Sequence, residues 1–388
     1  MKICAIIAEY NPFHNGHLYQ IEKYRQAHDD ALMIAIMSGN FVQRGEPALV
    51  DKWTRAQMAL HSGIDIVIEL PLHSAVQSAD FFAYDGVNIA SQIGAQQLLC
   101  GVESGSGPFY MDLANEWTQK HRMQERLQRP DLSLTDFLIQ ENTHSQILTG
   151  SNNILAFCYA KAIKQWNAPI ELVTINRQGQ DYNDCQLTST ESMMSATAIR
   201  HALLSGGTVD NLKNYLPDIS AKLLDKSDYL SWERFWPYLK YQLLVMSAEE
   251  LSGIFQMESG LEYRLKEAAL GTQNFAEFLG KIRTKRYSDS RLRRLCLYVL
   301  LNIRNHSIEE KRRQIQKWRI LGFTSAGQDY LSHFFKNEPE ARNRFITKIG
   351  RDDNESFSMD ICAGRIYQLA RKKDVNLQDF KRKPLKIN

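Results

Sequence analysis

No Cys-x-x-Cys pair occurs in this chain: its six cysteines stand apart at positions 4, 100, 158, 185, 296 and 362. That spacing supports neither a zinc knuckle nor a disulfide framework, and a reduced, cytoplasmic setting is expected. Long apolar runs are also missing. The most apolar stretch of the C-terminal half, Leu295–Ile303, is nine residues long with Asn302 inside it, against the roughly 20 needed to cross a bilayer. No membrane association is expected. The opening Met1-Lys2-Ile3-Cys4-Ala5-Ile6-Ile7 reaches Glu9 at once and has no small-residue cleavage site, so no secretory leader is expected. Proline is scarce, ten in 388 residues, and 44% of the chain is hydrophobic with 23% charged. This excludes a disordered, collagen-like or low-complexity chain. No carboxylate cluster with metal-ligand spacing stands out, and no residue is assigned to a metal.

What is present is enough chain for two domains and an uneven distribution of charge. The net charge of +3 divides into 14 basic and 21 acidic residues over 1–200, a balance of −7, and 33 and 23 over 201–388, a balance of +10. Lys281–Arg319 alone carries 13 basic residues against Asp289, Glu309 and Glu310. An acidic half joined to a basic half points to one part that performs chemistry and another that holds a polyanion. Arg286-Tyr287 adds a candidate stacking pair for a base. Lys381-Arg382-Lys383 reads as a polar tail. The aromatic residues Tyr229, Trp232, Phe235, Trp236, Tyr238 and Tyr241 read as core packing.

Short apolar runs at Ile3–Ala8, Ala31–Met37, Ile64–Leu70, Gln96–Cys100 and Ile170–Ile175 read as buried parallel strands. Helical patterns lie between them: Gly16–Ala27, Lys52–His61 behind an Asp51 cap, Ala79–Ile93, and Ile154–Trp166 behind Ser151-Asn152-Asn153. The fold class this predicts is α/β, a doubly wound parallel sheet. Beyond residue 200 strand signals vanish. Trp232–Ser247, Leu261–Leu270, Phe275–Ile282, Ser290–Asn302, Ile308–Trp318 and Gly364–Arg371 read as helices of a second, mostly α-helical domain. Gly206-Gly207, after a helix over Ala196–Leu204, marks the boundary. Domains over 1–205 and 206–388 are therefore expected.

Ligands of doubly wound sheets lie beyond the carboxyl ends of the strands. The first strand runs there into Ala8-Glu9-Tyr10-Asn11-Pro12-Phe13-His14-Asn15-Gly16-His17-Leu18. A strand, a turn and a helix start offer unpaired N–H groups and a positive dipole end to phosphates. His14 and His17 stand three apart beside that helix start, and Gly16 between them clears room for a nucleotide. Two imidazoles donating to phosphoryl oxygens would stabilise charge building at an α-phosphate. Ser195-Ala196-Thr197-Ala198-Ile199-Arg200 puts hydroxyls and an arginine at another helix start, where Ser195 is either an N-cap or a phosphate ligand.

Phe13-His14-Asn15-Gly16-His17 resembles the (T/H)xGH signature of the HIGH-type, Rossmann-like nucleotidyltransferases. Ser192-Met193-Met194-Ser195 through Arg200 resembles the KMSKS-like element of the same superfamily. Together with Gly39-Asn40-Phe41-Val42-Gln43-Arg44-Gly45-Glu46-Pro47-Ala48, Lys52, Arg55 and Ser151-Asn152-Asn153-Ile154-Leu155, these motifs look like the bacterial tRNA(Met) cytidine acetate ligase family. The resemblance implies an enzyme that activates acetate with ATP as acetyl-adenylate. It then transfers the acetyl group to the wobble cytidine of elongator tRNA(Met), giving N4-acetylcytidine. Mg²⁺ is expected on the ATP phosphates. The implied catalytic residues are His14 and His17. The implied nucleotide site runs along Ile7, Ala8, Glu9, Tyr10, Asn11, Pro12, Phe13, His14, Asn15, Gly16, His17, Leu18, Tyr19 and Gln20. Gly101, Asn152, Arg177, Ser195, Thr197 and Arg200 complete it. For Gly101 a plain turn, for Asn152 an N-cap and for Arg177 a solvated surface position are the alternatives. Asn176-Arg177-Gln178-Gly179 departs from the family's usual Lys-Arg before the glycine, leaving a lysine's role without a bearer. The rival functions are a nucleotidyltransferase making a small adenylylated cofactor and a non-catalytic RNA-binding protein on the same fold.

Overall fold

The computed structural model describes residues 1–120, 150–177, 193–314, 316–371 and 378–388. Runs of isoleucine, valine, leucine and methionine form β1 (Ile3–Ala8), β2 (Leu32–Ser38), β3 (Ile66–Leu70), β4 (Gln97–Val102) and β5 (Glu171–Asn176). These five pair in parallel in the order β5-β4-β1-β2-β3. Ile64, expected in the third strand, instead closes the preceding helical turn, its N–H bonded to Ala59 O at 3.2 Å.

Alternate strand residues face opposite layers. Ala5, Ile7, Ile34 and Ile36 join the core under α3 (Ala79–Gln92), α4 (Gly107–Lys120) and α5 (Ser151–Gln165). Cys4, Ile6, Met33 and Ala35 join the core under α1 (Asn15–Ala27), α2 (Lys52–Leu60) and α6 (Ala196–Leu204). The sheet is thus covered on both faces, as the parallel pattern predicts. Asp51 is the N-cap of α2, accepting from Thr54 N at 2.9 Å. Gly206 follows α6 with φ +92°, the left-handed conformation that ends a helix cheaply only at glycine.

A third core gathers α7 (Trp232–Val245), α8 (Leu261–Leu270), α9 (Phe275–Ile282) and α10 (Asp289–Leu300) around Phe235, Leu239, Leu265, Phe278 and Leu295. Trp232, Phe235 and Trp236 are buried there, whereas Tyr241 is 64% exposed. After α11 (Asn305–Arg313) the chain departs from expectation. Trp318 does not end a helix but opens β6 (Trp318–Thr324), which pairs antiparallel with β3. α12 (Ser325–Asn337) returns over the sheet. β7 (Phe345–Ile346) and β8 (Leu385–Ile387) then both pair with β6, giving an eight-stranded sheet. α13 (Ser358–Leu369) packs Ala363 and Tyr367 into the helical core. The expected polar tail is also tied down: Arg382 lies 5.0 Å from the Trp53 ring and β8 follows it. Among the described residues no helix is long and apolar enough to cross a membrane.

Candidate functional site

From β1 the chain continues through β2 and β3 on one side, while β4 and β5 lie on the other. The crevice beyond β1 and β4 is therefore the switch point where doubly wound sheets hold ligands. At the exit of β1, Tyr10 turns the chain with φ +46°, and His14 becomes the N-cap of α1 with extended backbone.

The two imidazoles interlock with the helix start. Gly16 N donates to His14 Nδ1 at 3.0 Å, and His14 N donates to His17 Nδ1 at 3.3 Å. Each ring nitrogen that accepts from a backbone N–H carries no proton, so both neutral rings bear theirs on Nε2. Burial, with the positive charges of Arg177 and Arg200, pushes His14 down to about 3. Burial, with His14 and Arg177, holds His17 well below the usual histidine range. At neutral pH both are uncharged Nε2–H donors. Their ring centroids lie 3.9 Å apart, and Tyr10 and Phe13 back His17 at 4.9 and 5.4 Å. Gly16 has a second use beyond clearing space for a ligand: a Cβ there would stand 2.8 Å from His14 Cε1, so glycine is what lets the cap ring lie over the first turn.

His14, Gly16, Tyr19, Gln20, Arg177, Met193, Met194 and Ser195 line one cleft. Of the two roles foreseen for Ser195, the structure shows the cap. Its Oγ accepts from Ala198 N at 3.1 Å as the N-cap of α6, and the residue lines the cleft. Arg200 spans from α6 to the β1 exit. It donates to Asn11 O at 2.8 Å, to Thr197 Oγ1 at 3.2 Å and to Glu46 Oε2 at 3.4 Å. Glu9 accepts from Gln43 N at 3.0 Å. Burial raises its carboxyl, an effect that Arg200 and Arg44 oppose.

Other expected positions sit differently. Gly101 is no turn: it lies within β4 opposite Ile175, and the Gln20 side chain fills the place of its absent Cβ. Asn152 is not the N-cap of α5, which is Gly150. The carboxylate of Glu103 takes that role, accepting from Asn152 N at 3.2 Å, Asn152 Nδ2 at 2.6 Å and Asn153 N at 2.9 Å. The Asn153 side chain accepts in return from Glu103 N at 2.9 Å. Ile7, Asn11 and Phe13 are buried supports, and Leu18 packs against the core under α1. Asn15 donates to Asn214 O at 2.9 Å. Tyr287 is no stacking platform, being 8% exposed with its hydroxyl on Glu258 at 2.7 Å. Gln178, Gly179 and Ser192 of the quoted motifs lie outside the described residues.

Arg55, wholly buried, ties the site loops together. It donates to Val50 O at 3.1 Å, Glu9 O at 2.7 Å, Ser38 O at 3.0 Å and Gly39 O. Residues that sequence reasoning passed over are Glu103, for which Glu-Ser-Gly-Ser offers no local signal, and Glu46, quoted in a motif without a role.

A family model described as HIGH Nucleotidyl Transferase matches residues 1–383. A tRNA(Met) cytidine acetate ligase of Ligilactobacillus salivarius (strain UCC118) is 37% identical over 394 residues, spanning 99% of this chain and 100% of that one. One from Bacillus licheniformis is 33% identical over 410 residues, spanning 100% and 98%. Among solved structures, Thermotoga maritima TmcAL bound with alpha-thio ATP superposes with a TM-score of 0.86 at 26% identity, over 100% of both chains.

Proposed function

The chain belongs to the HIGH nucleotidyl transferase family, and from that premise we infer that it is an ATP-dependent tRNA(Met) cytidine acetate ligase. Full-length relatives bearing that name and an ATP-analogue-bound structural neighbour support the reading. The observation that carries it to the residues is the close pair of neutral imidazoles at the N-terminus of α1. His14 lines the cleft with Arg177 on its wall, and His17 lies directly against His14.

Acetate is already an anion at pH 7, so attack on the α-phosphorus of ATP needs no protein nucleophile. A bond forms from acetate oxygen to phosphorus, the bond to the β-phosphate oxygen breaks, and pyrophosphate leaves. His14 and His17 donate from Nε2 to the α-phosphoryl oxygens as charge grows there. Arg177 and the positive end of the α1 dipole attract the phosphates. Ser195, Thr197 and Arg200 are assigned to the element that closes over the phosphates. In the second step the exocyclic amine of the wobble cytidine attacks the acetyl carbon, AMP departs and the amine loses a proton. The target base leaves the stack of an already single-stranded anticodon loop. Among the described residues no group of three His, Cys, Asp or Glu side chains is placed to hold a metal. Mg²⁺ is proposed as a partner of the ATP phosphates. The part over 1–205, which holds the parallel strands β1–β5, is assigned the adenylation, and the basic part over 206–388, which also lends β6–β8 to the sheet, the RNA. The chain is placed in the cytoplasm, where its tRNA substrate is.

Incubating tRNA(Met) with ATP, isotopically labelled acetate and the protein is expected to yield labelled N4-acetylcytidine on nucleoside mass spectrometry. Pyrophosphate exchange that needs a nucleotide or phosphopantetheine-like acceptor instead of acetate would overturn the reading.

A further inference from the structure

If tRNA is the substrate, as proposed above, its strand needs a place on the surface, and the charge pattern locates one. Much of the basic run Lys281–Arg319 is consumed within the fold. Arg319 is fully buried against Asp379 at 2.8 Å, and Lys317 pairs with Asp353 at 2.6 Å. Lys311 is buried and donates to Glu355 O. Arg312 pairs with Asp85 at 3.4 Å, and Arg291 pairs with Glu258 beneath the Tyr287 ring. A different set faces outward at the end of α9: Lys281, Arg283, Lys285 and Arg286 are all exposed, with no acidic residue in 281–286. Arg264 of α8 joins them by donating to the carbonyls of Lys281, Ile282 and Arg283. Beside it Tyr263 is 65% exposed. Arg283 and Arg286 do pair with Asp289 and Glu258, but their side chains are 55% and 61% exposed. Arg283 grips Asp289 with two hydrogen bonds, whereas the Arg286 pair, so open to water, holds weakly and can exchange a carboxylate for a phosphate.

This turn is connected to the cleft. Arg283 meets Asp289 at 2.5 Å, Asp289 meets Arg293 at 3.7 Å, Arg293 meets Glu46 at 3.6 Å and Glu46 meets Arg200 at 3.4 Å. Arg200 in turn donates to Asn11 O, at the approach to His14. A chain of ion pairs, half-buried from Asp289 inward, thus runs from the outward turn to Arg200 beside the loop that leads to His14, so a polymer held at the turn lies within reach of the site. We propose that the turn Lys281–Arg286, with Arg264 and Tyr263, grips the phosphates of the RNA strand, Tyr263 stacking on an unpaired base.

The test measures affinity for a tRNA(Met) transcript against salt, alongside acetate-dependent pyrophosphate exchange without RNA. Replacing Lys281, Lys285 and Arg286 together by Ala is expected to weaken binding by about 10-fold or more near physiological salt. It should make the slope of log K against log salt shallower by about 2 to 3, with exchange unchanged. Tyr263→Ala should weaken binding by roughly 5- to 100-fold with the slope unaltered, since stacking releases no counterions. Arg313→Ala, an exposed position of α11 in the same basic run, should do neither. An unchanged affinity and slope in the triple variant, or an equal loss in Arg313→Ala, overturns the proposal. Should the triple variant lose exchange, Lys285→Ala alone must still flatten the slope by about 1. A wild-type protein that exchanges pyrophosphate with acetate yet retains no tRNA would sink the functional reading itself, not only the surface.

Discussion

His14 performs two tasks with two atoms of one ring. Nδ1 caps α1 by accepting from Gly16 N, while Nε2 carries the proton assigned to the phosphate. The tasks are separable, because asparagine Oδ1 offers a cap acceptor of similar reach, while its Nδ2 amide stops short of the position that Nε2 occupies. His14→Asn is expected to leave stability within about 1 kcal/mol of the original, measured by denaturant unfolding. It should lower acetate-dependent exchange by about 100- to 1,000-fold. Equal activity in His14→Asn would assign the ring to the helix alone. The lowered pKa of both histidines fixes a second expectation. A histidine driven below its unfolded value is neutral in the fold, so kcat/KM, which titrates the free enzyme, should show no histidine limb between about pH 6 and 7. Stability should instead fall as pH drops from about 6.5, where the unfolded chain begins to bind protons that the fold excludes. An acid limb centred near pH 6.5 in kcat/KM would contradict the neutral pair.

At the scale of elements, Arg55 decides whether the loops after β1 and β2 keep their places. Four backbone carbonyls from Glu9, Ser38, Gly39 and Val50 converge on one buried guanidinium. Lysine, with a compact ammonium, cannot reach them all. Arg55→Lys is expected to cost about 3 kcal/mol or more, read as a shifted unfolding midpoint, and to raise KM for ATP. A midpoint unchanged from wild type would refute the clamp. Elements that depend on local pattern are legible in the amino-acid sequence: β1, the turn into α1, Asp51 and Ser195 as caps, and the helix ended by Gly206. Elements that depend on distant partners are not. Trp318–Thr324 sits in a basic run and contains Arg319, and Asp379, supplied from the far C-terminus at 2.8 Å, is the counter-charge that makes it tolerable inside a sheet. Asn152 has the residue type of a cap because Asn favours caps, but a carboxylate from the loop after β4 takes the position. The basic run itself is legible as a count. Which of its side chains face outward follows only from the pairs they make.

The same Asp379 ties the ends of the molecule together. Its carboxylate meets Lys52 at 2.8 Å and Arg319 at 2.8 Å, while Lys52 also meets Glu69 at 2.7 Å. Four charged side chains from α2, β3, β6 and the C-terminal segment are thus buried together, next to the loop that carries Asn40 and Glu46. Asn40 Oδ1 accepts from Lys52 N at 2.9 Å, so the network sits one hydrogen bond from the site loop. Removing one member of a buried pair strands the other, typically at about 3 to 5 kcal/mol. Asp379→Ala should cost that much, because Arg319 loses its carboxylate and keeps Arg382 O at 3.4 Å and the Trp53 ring at 4.6 Å, while Lys52 keeps Glu69. Replacing both, Asp379→Leu with Arg319→Met, removes the stranded charge and should recover most of the loss. If the double variant is as unstable as Asp379→Ala in denaturant unfolding, the cost lies in lost packing of residues 378–388 and not in the charge. Recovery would establish that the cost of Asp379→Ala is the stranded charge of Arg319, and that the packing of the C-terminal segment against the sheet holds without the ion pair.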